Sequence, residues 1–287
     1  TTAMLQGLLQ ERPVTIRMRT EDEKAVEALR ADLEKQGGTL KRHPYLSYAY
    51  VIEKTDDLTQ LSGFEEGAFV IQDISSMLAV EALGLPKMDN QGTLKILDIC
   101  AAPGGKSMLA ADILNHADID YMLEARDISE YKVELMQENF NRCHLNKAKA
   151  VAWDALEPDE RWLGQADVVI ADIPCSGLGV IGRKRDIKYK MTPQAVQDIV
   201  ELQEKILKVA ASYVKKGGKL LFSTCTVNKD ENEAHVKWIQ DTLKMTPVSL
   251  NGTLPGLVHS PTTQQGFVQL IPGMQDTDGF FISVFEK

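Results

Sequence analysis

The sequence predicts an α/β fold, a doubly wound parallel sheet in residues 68–287, preceded by a small α+β domain in residues 1–67. Three observations lead there. From residue 94 onward, short apolar runs alternate with helical stretches, the pattern of parallel strands joined by crossover helices. Two of those runs, ADVVIAD and KLLFST, are apolar enough to be covered on both faces, and the turn after each carries one cysteine, Cys175 and Cys225. Ahead of them, alternating and helical periods succeed one another on a smaller scale.

Residues 13–19, PVTIRMR, set Val14, Ile16 and Met18 against Thr15, Arg17 and Arg19, the period of a half-buried strand. Thr20 followed by Glu23 predicts a capping box. The helix it opens has Val26, Leu29 and Leu33 as its stripe, and Gly37-Gly38 stop it. A second strand, YLSYAYVI at 45–52, follows a His43-Pro44 turn, and the unit leaves through a polar segment ending near Gly67. Residues 69–84 read as a short strand, FVIQ, running into a helix capped near Ser75 or Ser76. Parallel strands follow at 94–99, 120–126, 148–152, 166–172 and 219–224, with helices near 106–115, 129–143, 193–215 and 231–244. The helix at 193–215 has Thr192 as cap, Pro193 in first position and Gly217-Gly218 beyond its end. The tail from Phe267 reads as a closing hairpin.

Composition narrows the class. The 287 residues are 44% hydrophobic and 25% charged, ordinary globular usage. No apolar run approaches the roughly 18 residues of a membrane span, and no leader pattern is visible. A soluble, cytoplasmic protein with no membrane partner is expected. The chain opens on Thr1-Thr2 rather than Met, as a fragment or processed product would. Its four cysteines, Cys100, Cys143, Cys175 and Cys225, lack CxxC spacing, so free thiols and no metal site are expected. A net charge of -9 argues against wholesale coating of nucleic acid, although RKRDIKYK at 183–190 supplies a local basic run.

DICAAPGGKS, 98–107, sits where the first parallel strand turns into a helix. Glycines there admit a ligand close to the backbone, and the helix N-terminus suits an anion such as a carboxylate. The spacing is neither that of a dinucleotide site nor that of a P-loop. Acids follow at successive strand ends, Asp127, Asp154 and Asp172, and the first is placed to bind ribose hydroxyls. A carboxylate turn plus a ribose acid suits S-adenosylmethionine. Asp127 with Glu130 would also make a plausible helix cap.

Together, CAAPGGK, DIPCSGLGV, RDIKY, STCT followed by ENE, and DGFFI resemble the Sun/Fmu family of RNA cytosine-5 methyltransferases, over most of the chain from about Gln72 to Lys287. With RPVTIR near the start, the chain is most similar to the bacterial 16S rRNA branch, which usually carries a NusB-like domain ahead of this region. The resemblance implies a Rossmann-like, S-adenosylmethionine-dependent methyltransferase sheet and small-subunit rRNA, free or partly assembled, as partner of a monomer. It also implies cofactor contacts from Cys100 through Ala101, Ala102, Pro103, Gly104 and Gly105 to Lys106, and at Asp127, Asp154 and Asp172. Cys225 would be the nucleophile, with Cys175 assisting release. Ile173 stands where the family usually has alanine, Gly182 to Arg185 depart from an Arg-Arg-Lys-Pro pattern, and the strand YMLEAR is unusually polar.

The chemistry gives the thiols a purpose. Cytosine C5 is a poor nucleophile, and a thiolate adding at C6 turns it into an enamine carbon. Asp172 is placed to hydrogen-bond the base edge, and Lys106 to lower a thiol pKa or orient the base. Spacing alone leaves either cysteine as the attacker. Cys100 and Cys143 read as buried packing residues and His235 as a surface residue, while Trp153 either walls an adenine pocket or packs in the core. The base must leave its stack, and Arg183, Lys184, Arg185 and Lys188 would hold flanking phosphates.

Overall fold

The computed structural model describes residues 6–8, 12–20, 22–55, 57–88, 92–184, 186–254 and 261–287. Its first unit is built on β1 (Val14–Met18), whose Ile16 and Met18 share one apolar cluster with Val26, Leu29 and Leu33 of α1 (Glu23–Lys35). The chain returns through β2 (Thr39–Arg42), β3 (Ala49–Glu53) and β4 (Phe69–Ile71). These form an antiparallel sheet in the order β2-β3-β1-β4. The sequence reading omits β2, a four-residue edge strand with a single buried residue, Leu40. It also places FVIQ with the second unit, whereas Phe69 pairs with Met18 and so continues the first sheet.

Two caps differ from expectation for one reason, a nearer carboxylate. Asp22, not Thr20, caps α1 by accepting from the Lys24 N–H, while the Thr20 hydroxyl accepts from the Asp22 N–H. Asp73, not Ser75 or Ser76, caps α2 (Ile74–Glu81).

The second sheet begins with β5 (Leu94–Asp98), followed by α3 (Gly105–His116), β6 (Tyr121–Asp127), α4 (Glu130–Arg142), β7 (Ala148–Ala152) and β8 (Ala166–Asp172). Then come α5 (Pro193–Tyr213), β9 (Val214–Thr224), α6 (Glu233–Trp238), β10 (Thr246–Pro247), β11 (Phe267–Leu270) and β12 (Phe280–Glu286). The order is β10-β12-β9-β8-β5-β6-β7, with β11 paired to β12. The five strands from β7 to β9 run parallel, and β12 closes the edge of β9 antiparallel. Ile96, Val168 and Ile170 pack into one apolar layer, and Leu97, Val169 and Ala171 into the other. That two-sided burial is why these strands read as continuous apolar runs. From β5 the chain winds outward through β6 to β7, then crosses back to β8, so the order reverses between β5 and β8. Ligand sites lie outside the carboxyl ends of strands at such a switch point.

Gly217-Gly218 do not terminate α5. That helix ends at Tyr213 because Val214 is already extended, and the glycines lie inside β9, where its register with β8 shifts between Ala166 and Val168. The helix expected at 231–244 is α6 followed by a wider turn at Ile239–Leu243.

A buried ion cluster joins the first sheet to α3. Arg17 Nη1 lies 2.5 Å and Arg19 Nη2 2.7 Å from the Asp112 carboxylate on α3, and Arg17 Nε donates to Gln72 Oε1 at 3.0 Å. The Arg17 side chain is 1% exposed. Removing its carboxylate strands a buried cation. Asp112→Ala is therefore expected to lower stability by about 3–5 kcal/mol, read from the shift of the urea unfolding midpoint.

Candidate active site

At the carboxyl end of β5 the chain makes a tight turn before α3. The Ile99 N–H donates to Ile170 O of β8 and the Ala101 N–H to Arg126 O of β6, so the turn is stitched to both neighbouring strands. Gly104 has φ 97°, the left-handed region, and its Cα faces Phe140 and Met136; a side chain there would be strained and crowded. Asp98 anchors the turn from below, accepting from Ser107 Oγ at 2.7 Å. It is fully buried, and burial pushes its carboxyl up to about 7. Cys100 is pushed well above the usual thiol range by burial and by Asp98. That environment suits a packing residue beside a ligand better than a nucleophile.

A cavity of about 480 Å³ opens over the strand ends and is lined by Cys100, Ala102, Asp127, Asp154, Asp172, Cys175 and Cys225, among others. Seven of the predicted residues thus meet at one site. Ala101, Pro103, Gly105 and Lys106 line a smaller cavity of about 200 Å³ across the turn, which shares Cys100, Ala102 and Asp172 with the first. Asp127 and Asp154 also serve local turns, accepting from the N–H groups of Ser129 and Leu156. Trp153 lines the larger cavity, donates Nε1–H to Glu157 O, and carries the Arg126 guanidinium 4.8 Å from its ring centre. Arg126 explains the polar strand YMLEAR: it is buried and held by Glu124 and Asp159.

S-adenosylmethionine fits this lining. Acids stand where hydroxyls would need acceptors, Ile128, Leu156 and Trp153 supply an apolar wall, and the volume is that of a small-ligand site.

The thiols of Cys175 and Cys225 are 3.3 Å apart. A hydrogen bond from Cys175 holds the Cys225 thiol below its usual range, aided by the charges of Lys106 and Lys184 and opposed by burial and Asp172. The same bond, with burial, raises Cys175. Lys106 Nζ lies 2.5 Å from Asp172 Oδ2, and Ser223 Oγ donates to Asp172 Oδ1 at 2.8 Å. The carboxylate is therefore fixed at both oxygens, and Lys106 also sits 5.3 Å from the Phe280 ring centre. Gly179 packs on Gly279 so closely that a side chain on either would strike the other's backbone, and the Gly179 N–H donates to Cys225 O.

Sequence reasoning did not assign roles to Glu231, Asn232 or Gln203, and it read Ser176 as a turn and backbone partner; all four are buried around the thiols. The signal was present in ENE, a polar run placed just after a buried strand end. His235 is a correction: it is buried, bonded through Nδ1 to Asp230 O and stacked on Phe222, because α6 turns that face onto the sheet. In the basic run, Arg183 is engaged by two carboxylates, Asp73 at 3.0 Å and Asp278 at 2.7 Å, while Lys184 is exposed. Arg185 and the Lys188 side chain lie outside the described residues.

Asp98 gives the site a pH signature. Its carboxyl rises from 3.8 to about 7 on folding, so between those values the folded chain holds a proton that the unfolded chain has lost, and stability falls as pH rises. Asp98→Asn removes that slope. Across this range the variant should gain on the wild type by roughly 1 kcal/mol per pH unit in denaturant titrations; parallel pH profiles would refute the assignment.

Comparison with known proteins agrees with this architecture. The chain is 39% identical over 227 residues to the probable ribosomal RNA small subunit methyltransferase B of Bacillus subtilis, covering 78% of this chain and 49% of that protein. It is 35% identical over 256 residues to ribosomal RNA small subunit methyltransferase B of Vibrio cholerae, covering 89% and 54%. The chain thus spans about half the length of the curated relatives it matches. A methyltransferase homolog protein from Pyrococcus horikoshii, known from its crystal structure, superposes with a TM-score of 0.79 at 25% identity, over 99% of this chain and 90% of that one. The family model described as 16S rRNA methyltransferase RsmB/F matches residues 85–286, and the chain belongs to that family.

Proposed function

We propose that this chain transfers a methyl group from S-adenosylmethionine to C5 of a cytidine in small-subunit rRNA through a covalent adduct on Cys225. The observation that carries the reading is the thiol pair, 3.3 Å apart, on the wall of a cavity that also holds the acids of three strand ends. Bound S-adenosylmethionine supplies an electrophilic methyl group. Asp127 and Asp154 would hold its hydroxylated and polar parts, with the backbone from Cys100 to Lys106 around its amino-acid end.

Cys225, its thiolate favoured by the Cys175 hydrogen bond and by Lys106, adds to C6 of an extruded cytosine. This turns C5 into an enamine carbon able to accept the methyl. Asp172, fixed by Lys106 and Ser223, is assigned to the base edge, where it accepts from the N4 amine, or from N3 once that nitrogen takes up a proton as charge develops there. After transfer the C5–H bond breaks, its proton passing to water and its electron pair re-forming C5=C6 as the C6–S bond breaks and the Cys225 thiolate leaves; Cys175, which its raised pKa keeps protonated, assists by hydrogen-bonding that departing thiolate. Arg183, Lys184, Arg185 and Lys188 are assigned to flanking phosphates, Arg183 exchanging Asp73 and Asp278 for its phosphate. The N-terminal unit, residues 1–67, is assigned a supporting RNA contact.

With labelled S-adenosylmethionine, methyl transfer to 16S rRNA or to partly assembled small subunits is expected, and transfer to tRNA or DNA is not. Cys225→Ala should reduce transfer to background; normal turnover in that variant would refute its nucleophilic role. Cys175→Ala should instead accumulate an RNA adduct, visible as a slowed band on a denaturing gel. Asp172→Asn should lower kcat on the order of 10²–10³-fold.

A further inference from the structure

A buried polar network surrounds the thiols from behind the cavity lining. Glu231 is fully buried, and its carboxylate accepts from the Ser176 N–H at 2.8 Å, from Ser176 Oγ at 2.5 Å and from Gln203 Nε2 at 3.1 Å. Gln203 Nε2 also donates to Pro174 O at 2.9 Å. The residues on both sides of Cys175 are therefore held, one directly by Glu231 and the other through Gln203. The next residue does the same for the other thiol. Asn232 Oδ1 accepts from Thr224 Oγ1 at 2.6 Å, and its Nδ2 donates to Thr226 O at 3.1 Å, so it brackets Cys225. Ser176 Oγ and Thr226 Oγ1, 2.7 Å apart, close the circuit between the two loops.

We propose that the adjacent pair Glu231 and Asn232 sets the separation of the two thiols, with Glu231 acting as the positioning residue that keeps Cys175 within hydrogen-bonding reach of Cys225. A buried carboxylate is an expensive way to hold a loop, since burying charge costs more than burying an amide. What it gains is acceptor capacity: two oxygens receive three donors here, whereas a glutamine would have to present an N–H to one of them. Ser176 Oγ would then accept from that N–H, and its own hydroxyl hydrogen would lose its carboxylate acceptor. The network thus fixes the loop more firmly than packing alone, and the S–H···S contact is its outcome. The inference rests on the proposed reading only in treating these as the reacting thiols.

The test reads the thiols and not methylation. Iodoacetamide alkylation of Cys225, resolved from the other cysteines by peptide mass, is followed from pH 6 to 10 in the wild type, Glu231→Gln, Glu231→Ala, Ser176→Ala, Cys175→Ala and the double variant Cys175→Ala with Glu231→Gln. Loss of the Cys175 hydrogen bond should move the Cys225 titration upward and slow its alkylation at pH 7, on the order of tenfold. Cys175→Ala and Glu231→Ala should both show this shift, with Glu231→Gln and Ser176→Ala showing part of it. The double variant should match Cys175→Ala alone. Unchanged profiles in both Glu231→Gln and Ser176→Ala, or an additive shift in the double variant, would overturn the proposal. Should Glu231→Ala fail to fold, those milder variants still decide it. A wild type with no methyl transfer but the expected alkylation shifts would refute the proposed reaction and leave the positioning role standing.

Discussion

The parallel pairing of β5 with β8 is the constraint on which the site depends. Ile96 lies opposite Val168 and Asp98 opposite Ile170, so the strands end side by side just where the order of the sheet reverses. The turn after β5 and the cysteine loop after β8 must then diverge, and the cavity is the space between them. The Ile99 N–H donating to Ile170 O fixes that divergence at its root. Because β9 pairs parallel to β8, with Asp172 opposite Ser223, the second cysteine arrives at the same edge by the same pleat. No long connection has to reach across the molecule to unite the thiols; two neighbouring strands deliver them.

This edge concentrates polar groups that are partnered through most of their atoms, Asp98 Oδ1 and Gln203 Oε1 being buried without a hydrogen-bond partner among the described residues. Asp98 has Ser107, Asp172 has Lys106 and Ser223, and Glu231 has Ser176 and Gln203. Satisfied networks of this kind restrict a loop to one arrangement, whereas a half-satisfied one would favour local opening. The first sheet follows the same rule, with Arg17 and Arg19 sharing Asp112 on the helix that starts at the glycine turn. Movement of that sheet would therefore be felt at α3, whose N-terminus carries Gly105 and Lys106.

Much of the fold was legible because its strands are buried on both faces. The runs at 94–99, 166–172 and 219–224 have no competing interpretation as surface elements, and the alternation of strand and helix fixes the order of winding. What was not legible depends on partners distant in sequence. The edge strand β2 has one buried residue, so its periodicity is silent. Gly217-Gly218 look like a helix stop, yet only the pairing with β8 reveals that they belong inside a strand. His235 reads as exposed because its helix is short and polar, and its burial is decided by Phe222 from another element. The same holds at the site: the line of cysteines and acids could be read from strand ends, while Glu231, separated from Ser176 by 55 residues, could not.

The two cysteines follow similar strands and end in similar turns, so nothing in their local sequence separates them. Their surroundings do. Both thiols feel Asp172, which opposes ionisation, and at Cys225 the charges of Lys106 and Lys184 act against it. A shared proton between two thiols at 3.3 Å must rest on one of them, and the cations favour leaving the negative charge on Cys225. The proposed assignment of attack to Cys225 rests on resemblance, and the direction of this shift is compatible with it. The difference comes first from the bond between the thiols, and the cations that add to it stand on other elements: Lys106 at the start of α3, and Lys184 in the basic run. A cation of that run thus favours the thiolate within the site.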